Sequence, residues 1–525
     1  MHHLCKGEFH YFWQKFHLGA LRKLAGQTII YGFSNIVSRL LNYLLVPYYT
    51  HLLSPGEYGP VNIIYAIIPF LFAVYTYGLE TSYFRFSQNR DDRPAVLGTT
   101  SISIICSTLL FTFLLLHYKQ VIAGWITLPH HPEYVTYFAW ILLFDTLGVI
   151  PFARLRLEDR PVKYAFIKVS GIVVNILFNV FFLSVCPALL HHGHRWVVLF
   201  YNPYEKIGYI FIANILSSAF AWMLLWKEFF RIQWRFDFGL WWRIMKYSLP
   251  LVIVGFAGMV NETMDRAWFL PHYLPYDHAK NDYLIGIYSA NYKLAILITL
   301  FIQAFRLGAE PFFFQQSTYA NARQTYARVM KYFVMVVSIM FLFVALYLPI
   351  WKLFLRRPAY WEGLYVVPYL LAANMFLGIY YNLTIWFKLT DRTRIGAYIT
   401  LFTALLAFVL NYWWIPIWGY FGSALATMVC YLVQMIICYV LGQKYYPIPY
   451  AVKKLVSIMI MAFLFYAIYW LINRYFLSPG DPYRIALPSL LLATVLFCTY
   501  LYLLYKIEKP YLRQLSWPTI LKNNR

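Results

Sequence analysis

Four polar residues stand inside an apolar stretch about one bilayer thick. Leu249 to Leu270 reads LPLVIVGFAGMVNETMDRAWFL and carries Asn261, Glu262, Asp265 and Arg266. At a bilayer midplane each ionisable side chain costs roughly 2.5–3.5 kcal/mol on insertion scales, so such groups persist where they face a bundle interior or a watery cavity. The stretch therefore reads as the wall of a polar pathway. Arg39 has Asn35 and Tyr43 one helical turn away on either side, and Lys293 has Ser289 and Leu297. Neither has an acid on its own helix, so each needs a partner from another helix or from a ligand. Asp145 is the candidate acid across the bundle. An arginine suits bidentate phosphate binding and a lysine a point-charge contact. Arg266 has Glu262 at i−4, which would leave no net charge there. Glu262 and Asp265 either take up a coupling cation or proton, or form a gating salt bridge. Glu80 and Glu310, the latter one turn after Arg306, read as structural or gating pairs. Lys168, about six residues into its span, is expected to snorkel to the inner surface.

These residues must be positioned by membrane helices. With 61% hydrophobic, 21% aromatic and 12% charged residues, the chain does not divide into soluble cores. Apolar runs of roughly 18–25 residues recur with short polar joints, the signature of helical spans rather than of a β-barrel. The expected fold class is an all-α polytopic membrane protein of about fourteen spans: 28–50, 58–84, 95–117, 134–153, 162–186, 206–227, 245–271, 284–306, 326–350, 362–387, 393–414, 418–441, 454–473 and 485–505. Residues 1–26 lack a signal peptide's h-region and cleavage site and are expected to form an interfacial segment.

A net charge of +23 would suggest nucleic acid in a soluble protein, but its placement speaks of topology instead. With the N-terminus inside, 31 of the 44 Lys and Arg fall in cytoplasmic segments, nine outside, and four (Arg39, Lys168, Arg266, Lys293) within spans. Both termini are accordingly expected in the cytoplasm. The joint Lys352 to Arg357 breaks the pattern with three cations outside. No nucleic-acid partner is expected. The six cysteines have no CxxC spacing, and the external histidines His130, His131, His191, His192 and His194 lack Cys or acid companions at ligand spacing, so neither metal nor cofactor is expected.

The chain also matches itself. Arg39 aligns with Arg266, Gly78-Leu-Glu80 with Gly308-Ala-Glu310, Leu157-Glu-Asp159-Arg160 with Leu389-Thr-Asp391-Arg392, and Asn179 with Asn411; the offset then shortens, so that Gly208-Tyr209 meets Gly419-Tyr420. An even number of spans per repeat gives both halves one orientation. The expected organisation is two pseudo-symmetric six-helix lobes, 27–228 and 229–442, followed by two further helices in 443–505 and a cytoplasmic tail, 506–525.

The phrases LLVPYYTHLLSPGEYG (44–59), NETMDRAWFL (261–270), LIGIYSANYKLA (284–295), AFRLGAEPFFF (304–314) and KLTDRTR (388–394) carry a family resemblance. In them the chain resembles the polysaccharide-transporter branch of the multidrug/oligosaccharidyl-lipid/polysaccharide exporter superfamily, the Wzx-type O-antigen and capsule flippases. The resemblance implies fourteen helices in two lobes working by alternating access. It further implies an undecaprenyl-diphosphate-linked oligosaccharide as cargo, a bacterial inner membrane, and a glycan polymerase and chain-length regulator as partners beside the membrane lipids. Such a cargo needs a wet, cationic cleft, for which Arg39, Arg266 and Lys293 are the candidate ligands. Glu262, Asp265, Asp145, Glu80 and Glu310 are candidates for gating, or for coupling to a proton or sodium gradient or the membrane potential.

Three rivals are weighed on the same residues. A drug exporter of this fold moves organic cations and should present unpaired acids, whereas the mid-span balance here favours Arg and Lys. A membrane glycosyltransferase or polymerase needs paired acids or a metal in sizeable external loops. The longest external joint, Pro187 to Lys206, holds one acid, Glu205, so no enzyme is expected. A transport-dead scaffold of a glycan-assembly complex is the third.

Overall fold

The computed structural model describes residues 36–89, 91–230, 232–317, 319–478 and 481–514. The expected interfacial segment 1–26, the start of the first span and the end of the tail lie outside the described residues. Every regular element among those described is helical. Residues 36–52 form α1. Thirteen further helices are long and apolar enough to cross a membrane: α2 Pro55–Thr76, α3 Arg93–His117, α4 Pro132–Leu157, α5 Pro161–His191, α6 Lys206–Phe229, α7 Phe238–Tyr273, α8 His278–Gln316, α9 Ala322–Leu346, α10 Pro358–Leu389, α11 Thr393–Trp418, α12 Tyr420–Tyr445, α13 Val452–Leu477 and α14 Leu487–Lys509. They coincide with expected spans two to fourteen, and the chain is a multi-pass membrane protein.

Local chemistry sets the helix ends. Ser54 opens α2 with a capping box: Glu57 Oε2 accepts from the Ser54 backbone N–H at 2.7 Å, the Ser54 hydroxyl accepts from the Glu57 N–H at 3.4 Å, and Pro55 takes the first helical position. The Asp237 carboxylate accepts from the Leu240 N–H at 2.9 Å and starts α7. One expected span is divided. Residues 58–84 read as continuous, but Tyr77 and Gly78 adopt φ of 33° and 74°, which ends α2 and starts a separate short helix, Leu79–Phe86. The Ser82 and Ser248 hydroxyls, 2.5 Å apart, pin that helix to α7.

The chain divides into two compact units, Met1–Gly286 with Gln303–Ala309, and Ile287–Ile302 with Glu310–Arg525. In the first, α6 packs against α4 and α5, α3 against α4, and α7 runs along α2. The first turns of α2 and α8 cross with no side chain between them: a Cβ at Gly59 would collide with the Asp282 carbonyl, and one at Gly286 with the Pro55 carbonyl. In the second unit α10 is the most enclosed span, 83% of its apolar window being buried, and it packs on α9 and α12. Only 22% of the α13 and α14 windows is buried; Leu464, Leu491 and Val495 point outward, as lipid-facing residues do.

The repeat appears as matched local structure within each unit. Asp159 and Asp391 both take the left-handed conformation, φ 57° and 54°. Behind them Arg160 N–H donates to the Leu155 carbonyl and Arg392 N–H to the Phe387 carbonyl, each at 2.9 Å, the same helix-ending turn twice. The buried Asn179 and Asn411 amides each donate 2.8 Å to the carbonyl four residues back.

In the joint Lys352 to Arg357 one of the three cations is packed away. Lys352 is buried, with Nζ 4.4 Å from the centre of the Trp361 ring. Burial pushes its pKa down, against the pull of Asp481. It is therefore a packed residue rather than a charge presented to water.

Candidate functional site

Within the first unit, α1, α2, the short helix Leu79–Phe86, α4, α5 and α6 enclose a cavity of about 480 Å³. Its size falls in the range of small-ligand sites, roughly 300–1,000 Å³. Helix packing builds the walls: the Ser217 hydroxyl on α6 donates to the Gly171 carbonyl on α5 at 2.7 Å. Across the floor, the Asn214 amide donates to the Tyr65 hydroxyl at 3.2 Å.

Five acidic and basic side chains line this cavity: Arg39 on α1, Glu80 on the short helix, Asp145 and Arg156 on α4, and Lys168 on α5. Three cations face two carboxylates, so one positive charge is in excess. Glu80 pairs with Arg156, whose guanidinium lies 4.9 Å from the Phe84 ring and 5.7 Å from that of Tyr164. Asp145 has Ser218 and Lys168 as its electrostatic neighbours. Arg39 makes no ion pair among the described residues and is exposed into the cavity. Ser38 Oγ and Trp222 Nε1, buried in the wall, have no hydrogen-bond partner among the described residues. The cavity thus offers a surplus cation, the chemistry of an anion site.

Lys168 departs from expectation. It does not reach for the inner surface but is half-buried, with Nζ 4.4 Å from the Phe152 ring centre. The aromatic face and Asp145 hold it inward.

The other named residues lie elsewhere. Arg266 and Asp265 are buried where α7 widens into a π-helical turn, Asp265–Phe269. Arg266 Nε donates to Asp265 Oδ1 at 3.2 Å, and a terminal nitrogen to the Glu262 backbone carbonyl at 2.7 Å. The expected turn-spaced partner therefore supplies its carbonyl, while the neighbouring aspartate supplies the charge; the Glu262 side chain is exposed. Lys293 is half-buried in the second unit. Glu310, in the same unit, accepts from Lys388 Nζ at 2.7 Å. Arg156 and Lys388 are matched positions of the repeat, so each unit closes its glutamate against the base at the end of the corresponding helix. One further cluster was not read from the sequence: the buried Glu228 at the end of α6 takes Lys163 at 2.6 Å and Arg160 at 3.1 Å, with Arg154 at 4.0 Å.

Comparison with known proteins extends this picture. A family model described as polysaccharide biosynthesis protein matches residues 24–315. The Lsg locus putative protein 1 of Haemophilus influenzae is 21% identical over 298 residues, 56% of this chain and 66% of that protein; the chain thus covers just under two thirds of this relative's length. Among solved structures, the lipid II flippase MurJ in an inward closed conformation matches with a TM-score of 0.64 at 13% identity, over 91% of this chain and 99% of that one. An inward-facing multidrug resistance MATE family transporter of the MOP superfamily matches with a TM-score of 0.61 at 13% identity, over 80% and 96%. At such identities the likeness is one of fold.

Proposed function

The chain belongs to the polysaccharide biosynthesis protein family, and from that premise we propose that it is a flippase. Its cargo is an undecaprenyl-diphosphate-linked oligosaccharide, carried from the cytoplasmic to the periplasmic leaflet of a bacterial inner membrane for O-antigen, capsule or exopolysaccharide synthesis. It works by alternating access, with both termini in the cytoplasm. The observation that carries this reading is the surplus cation of the first-unit cavity, Arg39, among polar walls. A diphosphate brings two negative charges and several acceptor oxygens, which a guanidinium binds in a fork. The cavity volume suits a charged head and not a whole glycan, whose sugars must occupy wider space while the polyprenyl tail stays in lipid. A multidrug exporter moving organic cations would be poorly served by walls on which cations outnumber acids. Asp145, beside Lys168, is the carboxylate in this cavity best placed to sense a coupling cation.

Arg39→Gln tests the reading. It is expected to stop export of surface polysaccharide and to accumulate lipid-linked glycan inside, while the protein remains at normal level in the membrane fraction. Normal surface polysaccharide in that variant would overturn the electrostatic cavity.

A further inference from the structure

We propose that Glu80 is a built-in competitor for the cargo's phosphate at Arg156, so that their ion pair sets how strongly the cavity holds an anion. This rests on the anionic-cargo reading of the same cavity. Arg156 lines the cavity and is closed by a carboxylate that also lines it. A phosphate presents two oxygens to a guanidinium much as a carboxylate does, so one can replace the other without rebuilding the site.

Three features suit the pair to exchange. Its side chains are 31% and 40% exposed, so it is a wet pair, held weakly enough to open. The Phe84 and Tyr164 rings keep the guanidinium in place when its acid partner leaves, as cation–π contacts do. Glu80 stands on a short helix anchored by the buried Leu79, Ser82 and Tyr83, so a swing of its own side chain is all the exchange needs. With Glu80 engaged the cavity carries one excess positive charge; with it displaced the excess is two, matching the two charges of a diphosphate. At the matched position of the second unit Glu310 closes on a lysine, Lys388. That is a point charge without the fork, so the bidentate exchange belongs to the first unit.

The test uses the full-length protein in lipid nanodiscs, titrated with inorganic pyrophosphate by calorimetry. Wild type is expected to bind and Arg39→Gln to bind more weakly. Glu80→Gln should bind about three- to tenfold more tightly than wild type, the range set by a partly exposed unit charge. That gain should vanish in the Glu80→Gln, Arg156→Gln double variant. If Glu80→Gln fails to fold, Glu80→Asp, which draws the carboxylate back by one methylene, should give a smaller tightening of the same sign. Weakening by Arg39→Gln with no tightening by either Glu80 variant overturns the competitor and leaves the anionic cavity standing. Tightening that survives in the double variant overturns Arg156 as its cause. Indifference of every variant and of wild type to pyrophosphate overturns both readings.

Discussion

A cation within an apolar chain takes its meaning from what covers it. In sequence Arg39, Lys168 and Lys352 have no carboxylate one turn away, and Arg266 has one, Glu262, whose side chain leaves it. In the structure they have four fates: exposure to a cavity, a place between a ring and an aspartate, closure by a neighbouring acid, and burial under a tryptophan. Sequence identified the bases but not their covers, because Phe152, Asp145 and Trp361 reach them through tertiary packing or through turns whose path the pattern does not reveal. Lys352 allows a direct check. Burial lowers its pKa in the folded chain below the ordinary 10.5, so between the two values the unfolded chain binds more protons and stability rises with pH. Below that interval the ammonium is charged in both states and the whole cost of burying it is present. Lys352→Met is therefore expected to raise the melting temperature in detergent at pH 7, the advantage shrinking toward zero above pH 10.5. A variant less stable than wild type at pH 7 would show that the Trp361 and Asp481 contacts outweigh the burial cost.

At the scale of helices the sequence was informative where hydrophobic length decides and silent where a turn does. Spans two to fourteen were readable because some twenty apolar residues between polar joints permit little else. The break at Tyr77–Gly78 was not, since a tyrosine with positive φ gives no pattern, although Gly78 hinted at one. That break matters because it lifts Glu80 off α2 and brings it to the base at the end of α4. Arg156 itself was within reach: it directly precedes the matched block Leu157-Glu-Asp-Arg, and Lys388 stands at the same place before Leu389. The glycine crossing was also missed, because a glycine's use depends on what approaches it. Gly286→Ala must push α8 away from the Pro55 carbonyl. Overpacking of this kind typically costs about 1–3 kcal/mol, so a clear fall in the melting temperature of the purified protein is expected, and an unchanged one would mean that the crossing yields easily.

For the whole molecule, family membership and the run of long apolar helices make the chain a multi-pass membrane protein of the polysaccharide biosynthesis protein family. The proposed function adds an energy source to be tested. Asp145→Asn is expected to remove any dependence of glycan movement on an imposed proton or sodium gradient in proteoliposomes while binding pyrophosphate at least as tightly as wild type. Wild-type movement indifferent to both gradients would take the coupling role from this carboxylate.

The two matched arginines differ in the residue that precedes them. Ser38 precedes Arg39, and Asp265, at the corresponding place, precedes Arg266 and satisfies its guanidinium. If the halves descend from one duplicated gene, a single serine-to-aspartate exchange is enough to silence one copy's charge while the other keeps its own available. The two matched arginines then need not share labour equally: one retains a reactive hand, and its sibling has folded that hand shut.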